Sequence, residues 1–386
     1  MLKICFTTED FYPNFIGGQG IFGYHLVLGL AKSGSKITVI AENKPGRAKF
    51  WQKTRNVWLL LVPFCFGQQI ILAFLEYLYF ILRCSNQYFD ILHANQLSGL
   101  FFVLFKPKNI GKIVISVHNT NYDLFQKTQS PLKRLLYQPL IFLERMMYKR
   151  ADALLFHANS EKRAVCRYYS IKEKPFGVVY LGASLTKVNE KARLAAKKQV
   201  RSILKIKENQ KIVLTIARLV KRKKIETLVK ALNILKLSGE KVTGIIIGQG
   251  PARGNLVKLV RKLHLNVSFV GFVPDIKTKP YFLAADLFVL PSVAEGGVSL
   301  SALEAASFGL PLILSPEAAG MPILRKGING YIVDPNNPTE LAEKIKLILP
   351  NAYLMGKESQ KLAKQFSWER CTRETLRFYQ SLLEKD

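Results

Sequence analysis

Three groups of residues in this 386-residue chain have the types and spacing to hold a phosphorylated ligand. The most specific begins with the apolar run Leu287-Phe288-Val289-Leu290, which ends in Pro291-Ser292. Glu295-Gly296-Gly297-Val298-Ser299-Leu300-Ser301 then leads into the helical stretch Ala302-Leu303-Glu304-Ala305-Ala306. A glycine loop opening on a Ser-capped helix presents backbone N–H groups and the positive end of the helix dipole, both suited to an anion. Glu295 and Glu304 have the chemistry to hold hydroxyls of a sugar and a ribose, although a lone helical glutamate is more often solvated. The second group, Ala217-Arg218-Leu219-Val220-Lys221-Arg222-Lys223-Lys224, follows the apolar run 212–216. Arg218 offers a bidentate grip on phosphate oxygens, and Lys223, five residues on, a point charge. Taken alone, the same run reads as a solvated basic turn. The third is the loop Gly17-Gly18, which feeds a helical stretch with its backbone N–H groups. It also spells G-x-G-x-x-G over 18–23, with Glu42 at the end of the next strand. In a dinucleotide fingerprint the first glycine follows its strand at once; here about ten residues intervene. Phosphate contact is the favoured reading, and a close-packed turn with no ligand is the plain one.

Such loops need strand ends and helix starts to hold them. Short apolar runs at 4–7, 37–41, 91–94, 113–118, 153–158 and 178–180 alternate with helical stretches, including 20–33 and 131–150. After the lysine-rich segment 187–211 the rhythm restarts at 212–216, 243–247, 268–270, 287–290, 312–314 and 331–333. Continuous apolar strands separated by helices imply parallel sheets covered on both faces. Two such series joined by a basic linker imply an α/β protein of two doubly wound domains facing across a cleft. The expected division is 1–185, 186–366, and a last helix over 367–386 that packs back on the first domain.

Composition narrows the class. A hydrophobic content of 49% with 22% charged residues describes an ordinary globular chain. The net charge of +30 is not ordinary, and both halves share it, so the field attracts polyanions of some kind. No aromatic and basic interleaving of a nucleic-acid motif accompanies it. The five cysteines, at 5, 65, 84, 166 and 371, form no C-x-x-C pair and suggest neither a disulfide framework nor zinc. No Asp-x-Asp occurs to hold a divalent ion. The N-terminal apolar run is too short for a signal peptide, and a cytoplasmic location is expected. Residues 58–82 are interrupted by Pro63, Gly67, Gln68, Gln69 and Glu76. They read as a core strand and a buried helix, with a helix in a membrane interface as the alternative.

Together these residues resemble the retaining GT-B glycosyltransferases of family 4, the group 1 glycosyltransferases, over nearly the whole chain. Gly17-Gly18 resembles the N-terminal glycine loop, Asp90 to His93 the D-x-x-H strand, and Val117-His118-Asn119 the V-H-D segment. Arg218 with Lys223 resembles the R-L…K pair, and Gly248-Gln249-Gly250-Pro251 the G-x-G-P turn. Ala285-Asp286 through Pro291-Ser292 to Glu295 and Glu304, then Gly327 to Gly330 and Trp368, complete the series. The chain departs from the pattern in one extra residue between Glu295 and Glu304, in Lys224 for glycine, in Leu181 for asparagine and in Ile323 for glutamate.

The resemblance implies transfer of a hexosyl group from a UDP-, GDP- or ADP-sugar to a glycan or lipid-linked acceptor, with retention and without a metal or cofactor. It assigns catalytic roles near the donor sugar to His118 and Glu295. Donor binding falls to Gly17, Gly18, Arg218, Lys223, Gly297, Ser299, Leu300 and Glu304. The hydrophobic, basic first half suits an acceptor at the inner face of a membrane, with an anionic membrane surface as a further partner and no specific nucleic acid. A GT-B epimerase, a nicotinamide oxidoreductase and a nucleic-acid-binding module are the rival readings.

Overall fold

Alternation of short aliphatic runs with longer segments of helical period produces two parallel sheets in the computed structural model. It describes all residues except 12–16, 43–55, 63–68, 119, 129, 173, 186–187, 275–276, 294–298, 321 and 385–386. The chain divides into two compact units, Met1–Gly182 with Trp368–Asp386, and Ala183–Ser367.

The first unit runs β1 (Lys3–Thr8), α1 (Gly18–Lys32), β2 (Lys36–Glu42), β3 (Val57–Val62), α2 (Gln69–Cys84), β4 (Phe89–Asn95), α3 (Leu100–Leu104) and β5 (Ile110–Ser116). It continues with α4 (Asn121–Lys127), α5 (Pro131–Arg150), β6 (Ala153–Phe156), α6 (Asn159–Tyr169) and β7 (Phe176–Val178). The strand order is β3-β2-β1-β4-β5-β6-β7, every pair parallel. Ile4, Cys5 and Phe6 are all fully buried because helices cover both faces, which is why the strands read as continuous apolar runs. The final helix, α14 (Trp368–Leu383), buries Trp368, Cys371, Thr372, Thr375, Tyr379 and Leu382 at three- and four-residue spacing. Gly29 of α1 permits its approach, since a Cβ there would lie 2.0 Å from Thr372 Oγ1.

The second unit contains α7 (Glu190–Leu204), β8 (Lys211–Ile216), α8 (Ile225–Leu237), β9 (Val242–Ile247), α9 (Arg253–Lys262), β10 (Val267–Gly271) and α10 (Lys279–Ala284). There follow β11 (Leu287–Leu290), α11 (Leu300–Ser307), β12 (Leu312–Leu314), β13 (Gly330–Ile332), α12 (Pro338–Ile348) and α13 (Ala352–Ala363). Its parallel sheet has the order β10-β9-β8-β11-β12-β13. Val213, Val289 and Ile313 pack under α8 and α12, and Ile246 packs with Leu256 and Val260 of α9.

Three expectations need correction. The lysine-rich segment is not a linker: residues 190–204 form α7, capped by Asn189, and it packs on α10. Its lysines conceal Ala196 and Val200 at helical spacing, and buried Arg201 donates to the carbonyls of Lys207 and Gln210. The seventh strand lies at 176–178 rather than 178–180, because the Val179 carbonyl accepts from the His157 ring instead. Residues 58–82 do supply a strand and a helix, but α2 is buried on one side only. Among the described residues no helix is long and apolar enough to cross a membrane.

Candidate functional site

In a doubly wound sheet, ligands collect outside the carboxyl ends of the strands where the order reverses. In the second unit that point lies between β8 and β11, neighbours in the sheet. Arg218 and Lys223 follow β8, and Ser299, Leu300 and Glu304 follow β11. Sequence and topology therefore agree on one end of one strand pair.

The basic turn is built tightly. The Leu219 N–H donates to the Gln249 carbonyl at 2.8 Å, and the Ala252 N–H to the Leu219 carbonyl at 2.9 Å. Gly248 and Gly250, at φ +135° and +154°, let the turn after β9 lie directly on it. A Cβ would sit 1.9 Å from the Ala217 oxygen in the first case and 2.3 Å from the Leu219 oxygen in the second. From the other side the Arg222 carbonyl accepts from the Val293 N–H at 2.9 Å and from Ser292 Oγ at 3.3 Å. Ser315 Oγ in turn donates to the Ser292 carbonyl. Arg218 is exposed at the strand end, whereas Lys223 is buried in a short 3-10 turn. Lys224 takes the left-handed conformation, φ 51°, a backbone position that favours glycine.

The amino end of α11 is set by Ser299, whose hydroxyl accepts from the Ala302 N–H at 3.3 Å. Leu300 is the first helical residue, and half-buried Glu304 lies one turn on, along the same side. Glu295 and Gly297 lie outside the described residues.

In the first unit the order reverses between β1 and β4. Gly17 is the extended residue preceding α1, and Gly18 is already helical, so the G-x-G-x-x-G run lies in the helix rather than in a strand-to-helix turn. Its last glycine serves packing, because a Cβ on Gly23 would lie 3.1 Å from the Phe6 ring. That removes the geometry on which the nicotinamide reading rested. Phe22, between these glycines, meets the rings of His157, His118 and His93 edge-on at 4.4, 5.3 and 6.3 Å. His118, just beyond β5, stacks on His157 at 4.6 Å with the rings 20° apart. His157 Nδ1–H donates to the Val179 carbonyl at 2.9 Å, which fixes its tautomer. His93 is held between Tyr379 and Ser116.

Burial pushes His157 down to about 4, partly offset by the Val179 hydrogen bond. Burial and then the neighbouring His157 push His93 down to about 3. Burial, His157 and His93 hold His118 well below the ordinary imidazole value. All three are neutral near pH 7. His118 is half-buried as a residue, and its Nε2 is buried without a partner among the described residues, as is Nε2 of His157.

The structure thus gathers five of the ten sequence-selected residues, Arg218, Lys223, Ser299, Leu300 and Glu304, at one end of the second sheet. It places His118, Gly17 and Gly18 in the first unit. His93 is the last residue of the D-x-x-H strand read from the sequence, whereas His157 and Tyr379 escaped sequence reading, since each is an isolated residue in an apolar run or helix with no motif around it.

Comparisons with known proteins cover the same ground. The Glycosyltransferase Family 4 model matches residues 16–187, and the Glycosyl transferases group 1 model matches residues 196–366. An uncharacterized glycosyltransferase of Methanocaldococcus jannaschii is 25% identical over 401 residues, spanning 99% of each chain. A D-inositol 3-phosphate glycosyltransferase of Mycobacterium tuberculosis is 27% identical over 250 residues, 61% of this chain and 50% of its own. Among solved structures, the sucrose-phosphate synthase of Thermosynechococcus elongatus aligns over the whole of both chains with a TM-score of 0.84 at 20% identity. HepE of Anabaena in complex with UDP-glucose aligns over 99% of this chain and 100% of its own, with a TM-score of 0.78 at 19% identity. The α/β architecture of two parallel sheets is therefore the GT-B fold.

Proposed function

Because the chain belongs to the group 1 glycosyltransferases, we propose that it transfers a hexosyl group from a nucleoside-diphosphate sugar to a glycan or lipid-linked acceptor, with retention of configuration and without a divalent ion. The observation that carries the reading is the placement of Arg218, Lys223 and the amino end of α11 at the carboxyl ends of β8 and β11. Solved relatives of this fold hold UDP and UDP-glucose, which supports a nucleotide-sugar donor.

The chemical demand is to stabilise a nucleoside diphosphate as its bond to the sugar C1 breaks. Arg218 and Lys223 supply positive charge where negative charge develops, and fixed donors of this kind act most strongly in the transition state. The backbone amides at Ser299 and Leu300 add the helix-end field. The acceptor hydroxyl attacks C1 on the face the diphosphate leaves, and its proton passes to the departing phosphate oxygen. The new C–O bond forms as the old one breaks, so no separate strong base is needed. Glu304 is assigned the ribose hydroxyls, and Glu295 and His118 the hydroxyls of the donor sugar; a neutral imidazole can donate or accept. Gly17 and Gly18 are assigned backbone contacts to phosphate.

The test is incubation with UDP-, GDP- and ADP-sugars and candidate acceptors. The expected outcome is acceptor-dependent release of one nucleoside diphosphate in excess EDTA, with proton coupling constants showing the donor's anomeric configuration in the product. Inverted product, or a sugar isomer formed without acceptor, contradicts the reading.

A further inference from the structure

Helix α2 carries a single basic residue, Arg83, and a single acid, Glu76, in sixteen residues, and the acid is buried. Leu72, Ala73, Glu76, Phe80 and Cys84 face the core at three- and four-residue spacing. A second stripe at the same spacing points the other way: Ile70, Phe74, Leu78 and Leu82 are exposed, together with Ile71 and Ile81. A surface helix ordinarily presents polar residues there. Helix α5 repeats the anomaly. Leu132, Leu135, Leu136 and Phe142 fall on one side of it and are each at least 60% exposed. Helix α3 packs against both, and Phe101 of α3 meets Phe74 edge-on at 5.3 Å. Phe105, just past α3, is 60% exposed. The exposed leucines and phenylalanines thus lie on α2 and α5 and, as Phe105, just past the half-buried α3 between them.

The charges on these helices are sorted by sign. The acids Glu76 and Glu144 are both buried. The basic residues Arg83, Lys133, Arg134, Arg145, Lys149 and Arg150 are all exposed. Apolar patches larger than isolated side chains mark interaction sites, and the sign of the surrounding charge selects the partner. Two copies of this chain meeting through the face would bring like charges together. An anionic surface with an apolar interior satisfies both features: leucine and phenylalanine side chains enter the acyl boundary while lysine and arginine meet headgroup phosphates.

We infer that the outward face of α2, α3 and α5 docks on an anionic lipid bilayer, lying in its interface rather than crossing it. The inference goes beyond the proposed transfer reaction and needs neither donor nor acceptor, so its failure would leave that reaction untouched.

The test is co-sedimentation of the full chain with vesicles of phosphatidylcholine alone, or of phosphatidylcholine and phosphatidylglycerol in equal parts. Binding to the anionic vesicles is expected, weakening with salt, with little retention on the neutral ones. Leu135→Asp, Phe142→Asp and Phe74→Asp should each lower the partition coefficient about tenfold or more, the apolar anchoring being lost. Lys133→Ala and Lys149→Ala should each lower it about fivefold. Thermal melts identify any variant that fails to fold, and the three apolar positions on two helices make the result independent of one substitution. Absence of binding at low salt overturns the inference. So does binding that the three folded Asp variants leave unchanged, because charge alone would then hold the protein. A dimer in sedimentation equilibrium that Leu135→Asp dissociates also overturns it, by assigning the face to a second copy.

Discussion

Gly250→Ala tests whether the turn after β9 aims Arg218. A methyl group on Gly250 would lie 2.3 Å from the Leu219 oxygen, 2.7 Å from its carbonyl carbon and 2.9 Å from its nitrogen. The first distance is about 1 Å short of ordinary contact, and the obstacle is backbone that cannot rotate aside. Moving the Leu219 peptide by that much strains its bonds with Gln249 and Ala252. With φ at +154° adding its own cost, the destabilisation should be about 2–4 kcal/mol. Arg218 adjoins this peptide and moves with it. Loss of one charge-assisted contact costs about 1.5–3 kcal/mol, which corresponds to about a 10- to 150-fold loss of affinity for a nucleoside diphosphate. Calorimetric titration and a thermal melt measure both effects. Gly254→Ala is the control: nothing lies within 4 Å of its added carbon, and in helix α9 alanine should stabilise without altering affinity. Gly250→Ala protein that binds the diphosphate as tightly as the unaltered chain would refute the reasoning.

Acid should weaken the fold through His157. Because burial holds it near 4, the unfolded chain binds a proton that the folded chain refuses as pH falls from about 6.5 to about 4, and stability drops over that window. Between pH 7 and 4.5 the loss is about 2 kcal/mol; urea midpoints of His157→Phe should fall less steeply by that amount, and parallel curves would dismiss the idea. Glu304→Gln should raise the Kd for a nucleoside diphosphate about tenfold, one hydrogen bond from a charged group being lost, with kcat nearly unchanged; a loss confined to kcat would remove it from the ribose. Lys224→Gly should stabilise by about 1 kcal/mol by relieving a left-handed residue, seen as a Tm higher by about 2–4 °C, whereas a lower Tm would show that the lysine side chain contributes more than its backbone costs.

The fold was legible because strands such as β6, β11 and β12 read as continuous apolar runs, as a parallel sheet covered on both faces requires. The ends of β8 and β11 were legible because glycine, arginine and a Ser-capped helix start leave local marks. What stayed hidden depends on direction in space. In α7 five lysines and arginines among fifteen residues mask the short stripe of Ala196 and Val200 that fixes the helix. In α2 the residues are apolar all round, so periodicity cannot say that one side faces outward. His157 and Tyr379 join the histidine cluster through sheet order and the return of α14, neither of which leaves a mark in neighbouring residues. Gly248 and Gly250 were recognisable as a motif, but their task of seating the Arg218 turn is visible only in the distances to Ala217 and Leu219.

The most direct measurement is calorimetric titration of a nucleoside diphosphate into the full chain in excess EDTA, repeated with Arg218→Ala and Lys223→Ala. The account predicts binding without any divalent ion and a loss of about tenfold or more in each variant. Binding that appears only when magnesium or manganese is restored, or that both variants retain in full, would contradict it.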